Sequence, residues 1–400
     1  MMSSIVRAAW VLPIAGAPVR DGWVSVENGR VQAVGHGRPP APAQDLGHVA
    51  LLPGLVNAHT HLELSGLGGR VAPAQSVVAW IRAMLAERAK GAAGAPAAVA
   101  RAAQAARDTG TVLFGDVSNR LDVAHSVRGD GVVFHEILGF NPVDPAGMVR
   151  AAHARLRAYG QAGAPGLAGA VVAHAPYSTA PALIAAIASR HEGPAPLSTH
   201  LAESAEEVEF LHTGRGPFRD LLMEVGTWTP AWTTPRCGPV EYLRRMGHLQ
   251  EGTLLAHCVH LTPSEIEQVR DAGAVIVTCP RSNAWVGGGV PQVSRFYGAG
   301  VPVAIGTDSL ASTDTLNMFD ELAALRRLAP EVDAALLLES ATRMGAEALG
   351  WGRHYGTLSP GRLARMVAVD LPVGTGTRSE DVEEYLVSGV PVAGIRPCHP

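Results

Sequence analysis

From residue 52 to residue 308 the chain repeats one pattern: a short apolar run ending in polar residues, then a stretch with helical spacing. Eight such runs occur. They are Leu52–Asn57 leading into His59, Thr111–Asp116, Val132–Glu136, Ala170–His174, Pro196–His200, Thr253–His257, Val275–Cys279 and Pro302–Asp308. Helix candidates fall between and after them, over Val77–Lys90, Ala97–Thr109, Pro181–Arg190, Pro263–Ala272 and Leu316–Leu328. Eight strands alternating with helices predict an α/β chain folded as a (β/α)₈ TIM barrel. A doubly wound open sheet stays open as an alternative, because counting runs does not prove closure.

The two ends have another rhythm. Gly22–Val26 and Arg30–Val34 alternate apolar and polar positions around Glu27-Asn28-Gly29, a hairpin signal. Met366–Val369 and Glu384–Val392 read as strands near the other end. Neither end can bury enough apolar area alone, so the two are expected to pair into one small discontinuous β-sandwich domain. The expected boundaries are 1–51 and 355–400 for that domain and 52–354 for the barrel. The segment Phe210–Tyr242, with Trp228 and Trp232, is long for a strand-to-helix connection and is a candidate lid.

Composition narrows the chemistry. The 400 residues carry a formal charge of −4, with 47% hydrophobic and 17% charged residues. That balance has no basic footprint for nucleic acid. No apolar run approaches the roughly 18–20 residues of a membrane span. Met1–Arg7 does not read as a leader, and four cysteines without a C-x-x-C pair give no disulfide framework. A cytoplasmic protein acting on a small molecule is the expectation, with no membrane or nucleic-acid partner. Of 32 basic residues, one is lysine, Lys90. Its surroundings do not fit a phosphate loop, and they read as the end of an exposed helix rather than a Schiff-base pocket.

The sixteen histidines are therefore the place to look. His59 and His61 are two apart, so an extended segment points both to one face. His200 and His257 end the fifth and sixth runs, and Asp308 ends the eighth. In a barrel these positions converge on one mouth. Imidazoles with one carboxylate suit zinc or another divalent metal, iron and manganese included. Glu203, three residues past His200, is placed to move a proton of a water at such a site. His260, three beyond His257, would face the other way. His125, His153, His191, His212, His248, His354 and His399 read as solvated loop or helix residues.

Pro53–His61, His200-x-x-Glu203, His257 and Gly306-Thr307-Asp308 together resemble the amidohydrolase superfamily, nearest to its single-metal, cytosine-deaminase-like branch. Finer strings, namely His61–Ser65, Thr278–Asn283 and Thr307–Ser312, are similar to aminodeoxyfutalosine deaminases and their S-adenosylhomocysteine, methylthioadenosine and adenosine relatives. The resemblance implies one divalent metal on His59, His61, His200 and Asp308. It gives Glu203, His257 and Asp308 catalytic roles in removing an amine from an adenine-type nucleoside, and it implies menaquinone biosynthesis as the pathway. It also implies self-association as a homodimer. The bridging carbamylated lysine of two-metal relatives has no counterpart, since the fourth run ends in His174. His174, Glu136, Arg281 and Ser282 are the substrate-contact candidates, with Asp116 and Asn283 beside them. Arg281 would suit a benzoate carboxylate. Guanine, cytosine or triazine aminohydrolases and chlorohydrolases remain alternatives, as does a non-catalytic scaffold.

Overall fold

The computed structural model describes residues 3–91, 94–124, 129–161, 167–374 and 378–399. It comprises two compact units, residues 1–58, 104–114 and 317–400 in one and 59–103 and 115–316 in the other.

In the first unit, both ends of the chain meet in a seven-stranded sheet. Its order is Ile395–Cys398, Met366–Asp370, Val49–Pro53, Ser3–Val11, Val19–Glu27 and Arg30–His36, with Gln44–Asp45 also on Ser3–Val11. Met366–Asp370 runs antiparallel to Val49–Pro53, with Ala368 opposite Leu51. The predicted hairpin forms: Asn28 and Gly29 both take positive φ, 51° and 72°, as a two-residue turn matched to strand twist requires. Val6, Val11, Val24, Val26, Leu51 and Met366 fill the core of this sheet.

Two expectations need correcting. Leu52–Asn57 is not one run. A break at Gly54 separates Val49–Pro53 of the terminal sheet from the first barrel strand. A Cβ on Gly54 would lie 2.3 Å from Val112 Cγ1, so glycine is what permits that approach. Glu384–Val392 is not a strand either; Ser379–Val387 is a helix. Val382, Leu386 and Val387 are its buried face, a helical spacing that outweighs the local alternation at Tyr385 and Val387.

Eight parallel strands make the barrel. They are β1 (Leu55–Thr60), β2 (Thr111–Ser118), β3 (Gly131–Ile137), β4 (Leu167–Ala173), β5 (Ser198–Leu201), β6 (Leu254–His257), β7 (Val275–Thr278) and β8 (Val303–Ile305). Pairing runs β1 to β4 and β5 to β8. Two seams join these halves. At one, His200 N–H donates to His174 O at 2.8 Å. At the other, Asp308 N–H donates to His59 O at 3.0 Å and His61 N–H to Asp308 O at 3.2 Å. Every residue of β1, β3, β6 and β7 is buried, as parallel strands covered on both faces must be.

Local chemistry starts and stops the helices. Ser76 Oγ caps helix Val77–Ala89 by accepting from Ala79 N–H. That helix ends at Lys90, whose exposed amine pairs with Glu87 at 2.5 Å. Thr262 and Glu265 form a reciprocal capping box on Pro263–Asp271. The candidate lid contains helix Pro217–Glu224 and the start of helix Pro239–Arg245. Among the described residues, no helix is long and apolar enough to cross a membrane.

Candidate metal centre and active site

The strand ends bring His59, His61, His200, His257 and Asp308 together in the second unit. His59, His61 and Asp308 offer ligand atoms within 4.8 Å of one another, and so do His59, His200 and His257. His61 Nε2 lies 3.1 Å from His200 Nε2 and 3.5 Å from Asp308 Oδ1. Two ligands each about 2.0–2.1 Å from one ion subtend roughly 3–3.4 Å, so the spacing is that of a shared divalent cation. His59 Nε2 is buried without a hydrogen-bond partner, a costly arrangement that a metal bond relieves. Burial holds the imidazoles neutral, their ligand form. It lowers His59 well below its usual value and takes His61 to about 3, with the neighbouring histidines adding to the effect on His59. Burial opposes ionisation of Asp308, yet His61, His257 and the Ser282 hydroxyl outweigh it and hold that carboxyl below its ordinary range. The residues present fit a divalent metal.

Neighbouring side chains fix these groups. Asp308 Oδ2 accepts from Ser282 Oγ at 2.6 Å and Ser312 Oγ at 2.9 Å, which leaves Oδ1 toward His61. His200 Nδ1–H donates to His174 O at 2.9 Å, directing Nε2 into the cluster. His257 Nδ1–H donates to Asn283 Oδ1 at 2.8 Å, so its Nε2 is the acceptor and lies 3.7 Å from Glu203 Oε1. Glu203 is buried, and that burial pushes its carboxyl up to about 7. Its backbone N–H and that of Ala202 both donate to the Glu207 carboxylate. Ala202, His257, Cys258 and Asp308 all take φ between 50° and 72°, a region that costs non-glycine residues about 1–3 kcal/mol each. The strain is concentrated at the strand ends that aim these side chains.

A cavity of about 420 Å³ opens from the cluster. His61, His200, Glu203, His257 and Asp308 line it, together with His174 and Glu136. His174 Nδ1 is hydrogen-bonded to Ser178 Oγ at 2.5 Å. Glu136 Oε2 accepts from Asn119, and burial pushes its carboxyl up to about 7. Ser282 and Arg281 lie outside the cavity lining: Ser282 serves Asp308, and Arg281 is engaged by Asp314 and Thr315. Asp116 is buried beneath, where Oδ1 accepts from Leu62 N–H at 2.9 Å. His260 faces Gly288 O at 2.6 Å, away from the cluster. In the lid segment, Trp228 and Trp232 pack on Phe140 and Phe210, while Phe218, Leu221, Leu222 and Val225 reach the cavity. Phe218 stacks on Tyr177 with centroids 3.9 Å apart. Asn119, Tyr177 and the cavity face of helix Val77–Ala89 had no distinctive local motif to mark them. Glu207 is also a first-turn carboxylate of helix Ala205–Thr213. His248 is fully buried rather than solvated, because it closes the turn before β6, with Thr253 Oγ1 donating to its carbonyl. His125 lies outside the described residues.

The amidohydrolase family model matches residues 50–396. An aminodeoxyfutalosine deaminase of Deinococcus radiodurans is 32% identical over 360 residues, covering 84% of this chain and 83% of that one. A 5-methylthioadenosine/S-adenosylhomocysteine deaminase of Nitratidesulfovibrio vulgaris is 30% identical over 382 residues, 88% of this chain and 80% of its own. The crystal structure of an adenosine deaminase from Xanthomonas campestris with bound zinc superposes with a TM-score of 0.78 at 27% identity, covering 98% of this chain and 92% of that one. With the barrel and the histidine-rich metal site in place, these matches put the chain in the amidohydrolase family, as one of its deaminase-type enzymes.

Proposed function

We propose that the protein is a metal-dependent hydrolytic deaminase of a 6-aminopurine nucleoside, with aminodeoxyfutalosine as first substrate and menaquinone biosynthesis as its setting. The observation that carries this reading is the placement of Glu203 opposite His257, beside two histidine-rich donor groups that share His59 and open on one apolar cavity. His59, His61, His200 and Asp308 would hold one divalent ion, zinc by preference, as in the Xanthomonas structure. Such an ion supplies Lewis acidity that brings the pKa of a water toward ~7.

The chain's own groups do the rest. Glu203 accepts a proton from the attacking water and passes it to the adjacent ring nitrogen, for which a carboxyl poised near neutrality suits both steps. His257 Nε2 accepts from the same water and keeps it in line, since Asn283 fixes the tautomer. The C6–O bond forms, the C6–N bond breaks, ammonia leaves and the ring keeps a carbonyl. Deamination of methylthioadenosine, S-adenosylhomocysteine or adenosine would use the same steps, and the Nitratidesulfovibrio relative supports it as a second reading.

Ammonia release should be measured across aminodeoxyfutalosine, S-adenosylhomocysteine, methylthioadenosine and adenosine, with guanine, cytosine and a triazine as outgroups. Turnover of the 6-aminopurine nucleosides supports the proposal. Turnover of the outgroups alone overturns the substrate and leaves the proton-transfer scheme standing.

A further inference from the structure

Helix Val77–Ala89 gives the cavity one whole face. Trp80, Ile81, Met84, Leu85 and Arg88 line it, the i, i+1, i+4, i+5, i+8 set of a single helical stripe. Four of the five are apolar. The fifth is the one guanidinium among the described residues that line the cavity.

Two observations define what this wall would receive. Leu85, Leu138 and Val225 line the cavity yet remain 38%, 43% and 49% exposed. Large apolar side chains left in water at a cavity rim offer cover to the apolar part of a ligand. Arg88 is held beside them without being used up. Buried Glu63 commits Oε2 to Ser118 Oγ at 2.8 Å and Arg120 N–H at 2.9 Å. Its Oε1 stands 3.9 Å from Arg88 Nη2, beyond hydrogen-bond reach. Glu63 thus positions the guanidinium by charge and leaves its fork of donors for another acceptor. A last-turn arginine also suits a helix C-terminus, but that role requires no place in a cavity wall.

We infer that Arg88 is the specificity-determining residue for the ribose 5′ side of the nucleoside, where it pairs with a carboxylate carried on an apolar, aryl-sized stem. The stem rests on Leu85, Leu138 and Val225. The inference rests on the nucleoside-deaminase reading above, and it moves the carboxylate partner from Arg281, whose guanidinium is engaged by Asp314, to Arg88.

The test compares wild type, Arg88→Met, which keeps an apolar stem, and Arg88→Lys, which keeps charge without the fork. Each is assayed by ammonia release on aminodeoxyfutalosine, which ends in a benzoate, and on methylthioadenosine, which is neutral there. Arg88→Met should raise KM for the carboxylate substrate at least ~10-fold and leave kcat within about twofold, as loss of a charge-assisted pair predicts. Methylthioadenosine should keep both constants, and Arg88→Lys should recover part of the loss. Equal losses on both substrates, or none on either, overturn the inference while the deaminase reading stands. A wild-type enzyme that releases ammonia from neither nucleoside overturns that reading, and the inference with it. Matching thermal melts exclude a folding defect as the cause.

Discussion

Glu203 is held by its backbone rather than by a side-chain partner. Glu207 accepts the N–H groups of Ala202 and Glu203, and Ala202 takes a left-handed φ of 50°. Glu203→Gln preserves this frame and removes the proton acceptor. Turnover should fall at least ~10²-fold with metal content per chain unchanged. Retained turnover would remove Glu203 from the chemistry, and lost metal would mark it as a support of the site. Asp116 makes a different kind of prediction. Burial, with the Glu63 charge adding and the Leu62 N–H opposing, pushes its carboxyl up to about 8. Unfolded, it titrates near ~3.9. Between those values the folded chain keeps a proton that the unfolded chain has released. Its contribution to stability is therefore full below ~4 and declines as pH rises toward 8. Asp116→Asn keeps the acceptor for Leu62 and abolishes this dependence. Wild-type melting temperature should drop relative to the variant between about pH 5 and 8; parallel curves would refute the assignment.

At the level of elements, the barrel was legible because eight short apolar runs alternated with helical spacing, and nearly every run ended in a histidine or a carboxylate. His59, His200, His257 and Asp308 stand out on that ground. What supports them was much less visible. Ser282 and Asn283 stood out as polar residues after β7, but nothing local said that one faces Asp308 and the other His257. Glu63 acts on Ser118 across a stretch of chain that no local pattern spans. The errors have the same root: Gly54 breaks a run because of Val112, and Ser379–Val387 coils because three of its side chains are buried together. Register across a seam is equally non-local. A Cβ on Gly306 would sit 2.6 Å from His59 O and 2.7 Å from His59 Cβ, so β8 can approach β1 only without a side chain there. Gly306→Ala should cost about 1–3 kcal/mol in thermal or denaturant unfolding, as overpacking does, and should lower metal content. A variant that melts like wild type and binds metal equally would show that the seam can yield.

For the molecule as a whole, the proposed metal ligands come from both halves of the barrel sheet: His59 from β1 and His61 just after it, His200 from β5 and Asp308 after β8. A bound ion would cross-link the halves beside the seam where Asp308 N–H donates to His59 O and Asp308 O accepts from His61 N–H. An ion that binds only the folded chain stabilises it by about 4.1 kcal/mol when present at 1,000 times its dissociation constant. Chelation should therefore lower the melting temperature and speed amide exchange at His61 and Asp308, and added zinc should reverse both. Unchanged melting and exchange in metal-stripped protein would mean the halves do not depend on the ion. The scarcity of lysine has a practical counterpart here. The sole lysine side chain, 64% exposed at Lys90, closes the helix whose Trp80, Ile81, Met84, Leu85 and Arg88 line the cavity, two positions beyond Arg88. An amine-directed fluorophore would decorate that one side chain, turning the wild-type chain, without any engineered cysteine, into an optical sensor of whether its pocket is filled.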